Sequence, residues 1–237
     1  MDLAITQVPV WLSILFIISF STIPVFLINQ AVKFAYENYK TSSLLRKRIV
    51  IFYWLYFGIV AVLSLTGFFM KNVLPPRIIL VTVIPLFLFY ILYVQRTKWF
   101  AIVFKHIKLE QLVFIHVFRF VGVFFFLVYF YDVIPKEFAC IGGAGDILTA
   151  VLVFPVVRAL KKRYSYAKLV TWVWNIIGVI DIVSVLVTAI VLTKVAVQNN
   201  TEGVSQFGTF PFSWIPAFAP ATIIFLHILV FKKLKEE

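Results

Sequence analysis

Leu169–Thr193 reads LVTWVWNIIGVIDIVSVLVTAIVLT and carries one charged residue, Asp181. At about 1.5 Å of rise per residue this stretch is roughly 37 Å long as a helix, more than the ~30 Å hydrocarbon core of a bilayer. Its apolar residues run continuously instead of alternating, which favours a spanning helix over a barrel strand. An aspartate inside such a run costs about 2.5–3.5 kcal/mol on insertion scales. The stretch therefore speaks for a lipid-soluble chain that hides a polar group.

Six further stretches are of the same kind: Val8–Ala31, Ile49–Met70, Ile78–Val94, Gln111–Tyr131, Phe138–Val157 and Pro211–Phe231. The expected fold is all-α, a polytopic bundle of seven transmembrane helices making one transmembrane domain over residues 1–237. Composition agrees. The chain is 62% hydrophobic and 14% charged, where a soluble domain carries roughly 25% charged residues. Asp2 and the lack of Lys or Arg ahead of the first stretch read as a retained span, not a signal peptide. The single cysteine, Cys140, allows no intrachain disulfide and no Cys-based metal cluster. Pro24, Pro85, Pro155, Pro216 and Pro220 fall in four of the spans, where kinks are expected.

The net charge of +12 could suggest nucleic acid, but the placement of the cations argues for topology instead. Lys33, Lys40, Arg46, Lys47 and Arg48 follow the first span. Arg96, Lys98, Lys105 and Lys108 follow the third. Arg158, Lys161, Lys162, Arg163 and Lys168 follow the fifth, and Lys232, Lys233 and Lys235 form the tail. The other side has only Lys71, Arg77, Lys136 and Lys194. The positive-inside rule then puts the N-terminus outside and the C-terminus in the cytoplasm, in a multi-pass protein of the plasma (cytoplasmic) membrane. Trp11, Trp54, Trp172, Trp174 and Trp214 are expected in an interfacial aromatic belt. Lys98–Lys108 reads either as a helix lying flat on the inner leaflet or as a frayed end. Gln198–Gly208 reads as a polar, mobile connection.

Three ionisable residues lie within spans: Arg119, Asp146 and Asp181. Helical rise places Arg119 about 12 Å, and both aspartates about 18 Å, above the cytoplasmic boundary. The long arginine stem can reach that level, so the three groups are expected to meet inside the bundle on the fourth, fifth and sixth helices. Two acids then face one base, and a carboxylate left over in hydrocarbon takes up a proton or recruits a cation. His116, one turn below Arg119, and Asn175, about two turns below Asp181, extend the candidate site. Gly142, Gly143 and Gly145 precede Asp146 and read as a small-residue motif for close helix packing. His116 and His227 are the only pair that could ligate a haem between the fourth and seventh helices. A retinal Schiff base is excluded because Pro211–Phe231 holds no lysine. No other cofactor and no metal site is expected.

The pattern Gly143-x-Gly145-Asp146, with Tyr131-Asp132 on the preceding span and Pro220-Ala221 two spans later, resembles the presenilin-like intramembrane aspartyl proteases. The resemblance implies a pair of carboxylates sharing a proton, Asp132 with Asp146. The chain departs from that pattern. Asp132 lies about 12 Å above Asp146 by helical rise, Thr222 stands at the third position of the Pro-Ala-Leu element, and Arg119 is placed to hold a carboxylate ionised.

The expected function is a transporter or channel-like protein for a small polar solute or ion, with proton coupling through Arg119, Asp146 and Asp181. The expected partners are the lipid bilayer and that solute. Two alternatives stand beside it: an intramembrane enzyme of the carboxylate-based hydrolase or protease type, and a non-catalytic seven-helix protein that binds an apolar ligand or supports assembly.

Overall fold

A run of about twenty apolar residues can satisfy its own backbone N–H and C=O groups only as a helix, and each of the seven runs folds as one. The computed structural model of the protein describes residues 3–35 and 42–236. The helices are α1 (Val10–Ala35), α2 (Ser42–Leu65), α3 (Ile79–Arg96), α4 (Lys98–His106), α5 (Leu109–Phe130), α6 (Lys136–Lys161), α7 (Ala167–Asn199) and α8 (Trp214–Glu236). All except α4 are long and apolar enough to cross a membrane. Among the described residues no strand forms beyond an isolated bridge between Ile5 and Phe210.

α8 is the central rod. It is buried along most of its length and packs against α2, α3, α5 and α7. Beside it the closest packing is that of α6 against α5 and against α7. The core of the other half is aromatic: Phe16 lies 4.5 Å from Phe212, and Phe57 lies 5.0 Å from Trp214, between ring centroids. The ends differ in charge. At the basic end, the Lys233 ammonium donates to the carbonyls of Phe104 (3.2 Å) and Lys105 (3.3 Å), joining α8 to α4. At the opposite end, the Thr6 amide donates to the Phe210 carbonyl (2.8 Å) and Asn72 to the Thr201 carbonyl (2.9 Å).

Several boundaries differ from expectation for local reasons. The second helix ends at Leu65, not Met70. Gly67 sits at φ +71°, the Phe68 amide returns to the Leu63 carbonyl, and the Gly67 amide returns to Ser64. This is a Schellman stop that hydropathy cannot see. The sixth span runs on to Asn199, where Asn200 in the left-handed region ends it and the Thr201 amide reaches back to Ala196. The Gln198–Gly208 connection is not a loose polar strap. Phe207 is buried against Phe125 and Phe138, at 5.1 and 5.8 Å between centroids. Lys98–His106 is a separate helix and not a frayed end, because Thr97 and Ile107 flank it in extended conformations (ψ 142° and 132°). Trp174 and Trp214 do not belong to a belt. Both are buried, and their indole N–H groups donate to the carbonyls of Thr149 and Phe57 (each 3.0 Å).

Candidate functional site

The fourth span tightens where its polar residues lie. His116–Gly122 forms a 3₁₀ segment of seven residues, long for a geometry that usually lasts three or four. With three residues per turn, positions three apart eclipse one another. His116, Arg119 and Gly122 therefore line up along one edge of α5. At Gly122 the backbone of α6 comes very close: a Cβ there would lie 2.6 Å from the Asp146 Cβ and 2.9 Å from the Gly143 carbonyl oxygen. The two glycines let α5 and α6 cross nearly backbone to backbone, and this brings Asp146 within reach of Arg119.

Arg119 is fully buried and ties α5 to three other helices. Its Nε donates to Asp146 Oδ1 on α6 (2.7 Å), and its Nη2 donates to Asp181 Oδ2 on α7. Nη1 lies 3.4 Å from the Gly178 carbonyl oxygen on α7 and 3.2 Å from His227 Nε2 on α8. The protonation pattern of the histidine follows from donor counting. Asn175 Nδ2 donates to the His227 carbonyl (3.1 Å), so Asn175 Oδ1 faces His227 Nδ1 (2.7 Å) and accepts its proton. Nε2 is then the lone-pair nitrogen, and the guanidinium donates into it. The His116 ring lies tilted against His227 at 4.2 Å between centroids and edge-on to Trp174 at 5.0 Å, with neither nitrogen hydrogen-bonded among the described residues.

The structure thus brings Arg119, Asp146 and Asp181 together, and Asn175 joins them through His227. His116 joins by ring contact and not through a hydrogen bond. The three glycines of the small-residue motif each lie against a neighbouring side chain. Gly142 lies under the Phe125 ring and Gly143 under the Phe126 ring, while Gly145 lies under the Asp181 carboxylate at the seam of α6 and α7. Gly178, whose Cβ would run into His227, is a further such position that sequence reasoning missed, as is Gly122. A signal was present: each of the three charged residues has a glycine three positions away, Arg119 with Gly122, Asp146 with Gly143, and Asp181 with Gly178. Positions three apart share a helix face, so each of these three charges has a gap beside it that admits a neighbouring group.

The haem alternative does not suit this geometry. A porphyrin lies between its two axial imidazoles, and the rings of His116 and His227 touch. The paired-carboxylate arrangement is also altered: Asp132 is exposed in a turn (φ 56°), and Arg119 occupies the space between Asp146 and Asp181.

A cavity of about 70 Å³ runs from the end opposite the basic one down to Asp146. Lys71, Asn72 and Phe207 stand near its end of the bundle, and Phe125, Ile182 and Pro220 lie on its walls. Asp146 is the one acid among its lining residues. With both carboxylates ionised, the cluster carries two negative charges against one positive. Neither a curated protein nor a solved structure matches the chain. A family model does match residues 74–235, which include every residue of the polar cluster, and the chain belongs to that family, described as a domain of unknown function (DUF8737).

Proposed function

We propose that the protein is a carrier or channel-like protein of the plasma membrane that moves a small polar solute or ion coupled to protons, with Arg119, Asp146 and Asp181 as the coupling site. The observation that carries this reading is the placement of Asp146. It is at once a partner of the buried Arg119 and the acid at the foot of a cavity that opens toward one end. An uncompensated carboxylate in a low-dielectric interior favours any cation that can reach it. The cavity is only large enough for a few waters or a small solute. Toward the basic end the path is blocked by the Asn175–His227 pair and Trp174, all buried. One-sided access to a central charged site is the arrangement that alternating access requires. The cation distribution supports an orientation with the basic end in the cytoplasm and the cavity facing outward.

The test is proton movement in liposomes that contain the purified protein and a pH-sensitive dye. Sodium, potassium, ammonium, guanidinium and small amines are supplied in turn under an imposed pH gradient. At least one is expected to drive proton movement in the wild type, with the rate falling at least tenfold in Asp146→Asn and in Asp181→Asn. If pH-dependent flux and pH-dependent binding are the same in both variants as in the wild type, the cluster is structural and the reading fails.

A further inference from the structure

A second cavity, larger than the one that reaches the charged cluster, lies elsewhere. About 290 Å³ lies at the basic end, lined by α1, α2, α3, α4, α5 and α8 and partly open. A cavity of about 150 Å³ with an apolar lining holds benzene and stays dry otherwise. This one is about twice that size and is near the lower end of small-molecule pockets, roughly 300–1,000 Å³. Its walls are almost wholly hydrocarbon. α4 supplies one of them with Trp99, Phe100, Val103 and Phe104 on a single face, while Lys98, Lys105 and His106 remain exposed. The buried hydroxyls in the lining are already paired: Tyr53 with Tyr90 at 3.1 Å, and Tyr90 with Thr222 at 3.0 Å. They make no demand on a ligand. Among the described residues the one charged lining residue is Arg48, which is exposed. Among the described residues no acid lines the cavity.

We propose that this chamber binds a single-chain anionic amphiphile of the long-chain carboxylate class, with the chain among the aromatic rings beneath α4 and the carboxylate at Arg48. Apolar volume is costly to leave unfilled, and a flexible hydrocarbon chain conforms to walls drawn from six helices. The charge selects the head group. Arg48 lies beside Lys47, and α4 carries Lys98 and Lys105, so an anion is attracted and a cationic amphiphile is repelled. The volume admits one chain and excludes a two-chain phospholipid. α4 is suited to cover such a ligand. Extended residues join it at both ends, and its last turn is held by Lys233.

The experiment measures binding of tritiated dodecanoate to the delipidated protein in detergent. Dodecanol, dodecyltrimethylammonium and dioleoyl phosphatidylglycerol serve as competitors. Saturable binding is expected, with dodecyltrimethylammonium and the two-chain lipid at least tenfold weaker. Arg48→Gln changes an exposed side chain and leaves the fold intact. It should weaken dodecanoate at least tenfold while leaving dodecanol unchanged. Leu229→Trp, which fills the chamber, should abolish both, with a thermal melt showing that the variant is folded. Asp146→Asn should bind dodecanoate like the wild type, which separates this site from the coupling site. Unsaturable binding, indifference to Arg48→Gln, equal competition by the two-chain lipid, or retained binding in a folded Leu229→Trp each overturns the proposal.

Discussion

Arg119 is the residue on which the interior depends. Its guanidinium engages two carboxylates, a carbonyl and an imidazole on three helices, with no exposure. Burying charge is expensive, and a pair or triad of this kind is often no better for stability than apolar residues of the same size. Removing one member is another matter, because the partners are left charged and unpaired. Arg119→Ala is expected to cost about 3–5 kcal/mol, read as a large drop in the thermal midpoint in detergent. Arg119→Met combined with Asp146→Asn and Asp181→Asn removes the whole charge set and should recover most of that loss. A triple variant as unstable as Arg119→Ala would show that packing around the arginine stem, and not its charge, holds the helices. The meeting of these three side chains was legible in the sequence, because helical rise alone puts both aspartates at one height and the arginine stem within reach. His227 was not. Its role depends on which atom Asn175 presents to it, and spacing along the chain carries no such information.

The helices show where hydropathy stops being informative. The apolar runs located every long helix, since only helices satisfy backbone groups in such runs. Their ends were set by features with no hydropathic signature: Gly67 in the left-handed region, Asn200 likewise, and extended Thr97 and Ile107 around α4. The 3₁₀ segment in α5 was equally invisible. The crossing of α5 and α6 gives a sharp test of how much depends on close approach. Gly122→Ala would place a Cβ against the backbone of α6, which cannot move aside as a side chain could. It is expected to cost about 1–3 kcal/mol through overpacking and to disturb the Asp146–Arg119 pair. A Cβ added at Gly58, in α2, would meet nothing within 4 Å, so Gly58→Ala should instead stabilise by up to about 1 kcal/mol through helix propensity. Thermal melts of the two variants should therefore move in opposite directions. A Gly122→Ala variant as stable as the wild type, or more so, would mean that α5 and α6 are not in tight contact.

The bundle as a whole has two unlike ends, and the two cavities described above lie at opposite ones: the small cavity reaches Asp146 from the sparsely charged end, and the larger apolar chamber sits at the basic end. Which end faces the cytoplasm therefore sets the direction in which the charged cluster is approached. Lysine and arginine in the connections bias orientation strongly, and here every second connection and the tail hold nearly all of them. Labelling cysteines tests the bias directly. Cys140 is exposed on α6, so Cys140→Ser gives a cysteine-free background with little disturbance. Glu202→Cys and Lys162→Cys then place single thiols at exposed positions at the two ends. In intact cells a membrane-impermeant maleimide should label Glu202→Cys at once and Lys162→Cys only after lysis. The reverse pattern would invert the protein in the membrane. The cavity above Asp146 would then open to the cytoplasm, the amphiphile chamber would face outward, and any cation reaching the carboxylate would have to come from inside. Labelling of both sites in intact cells would mean that one of the seven long helices does not cross, and the even alternation of charge would need another cause.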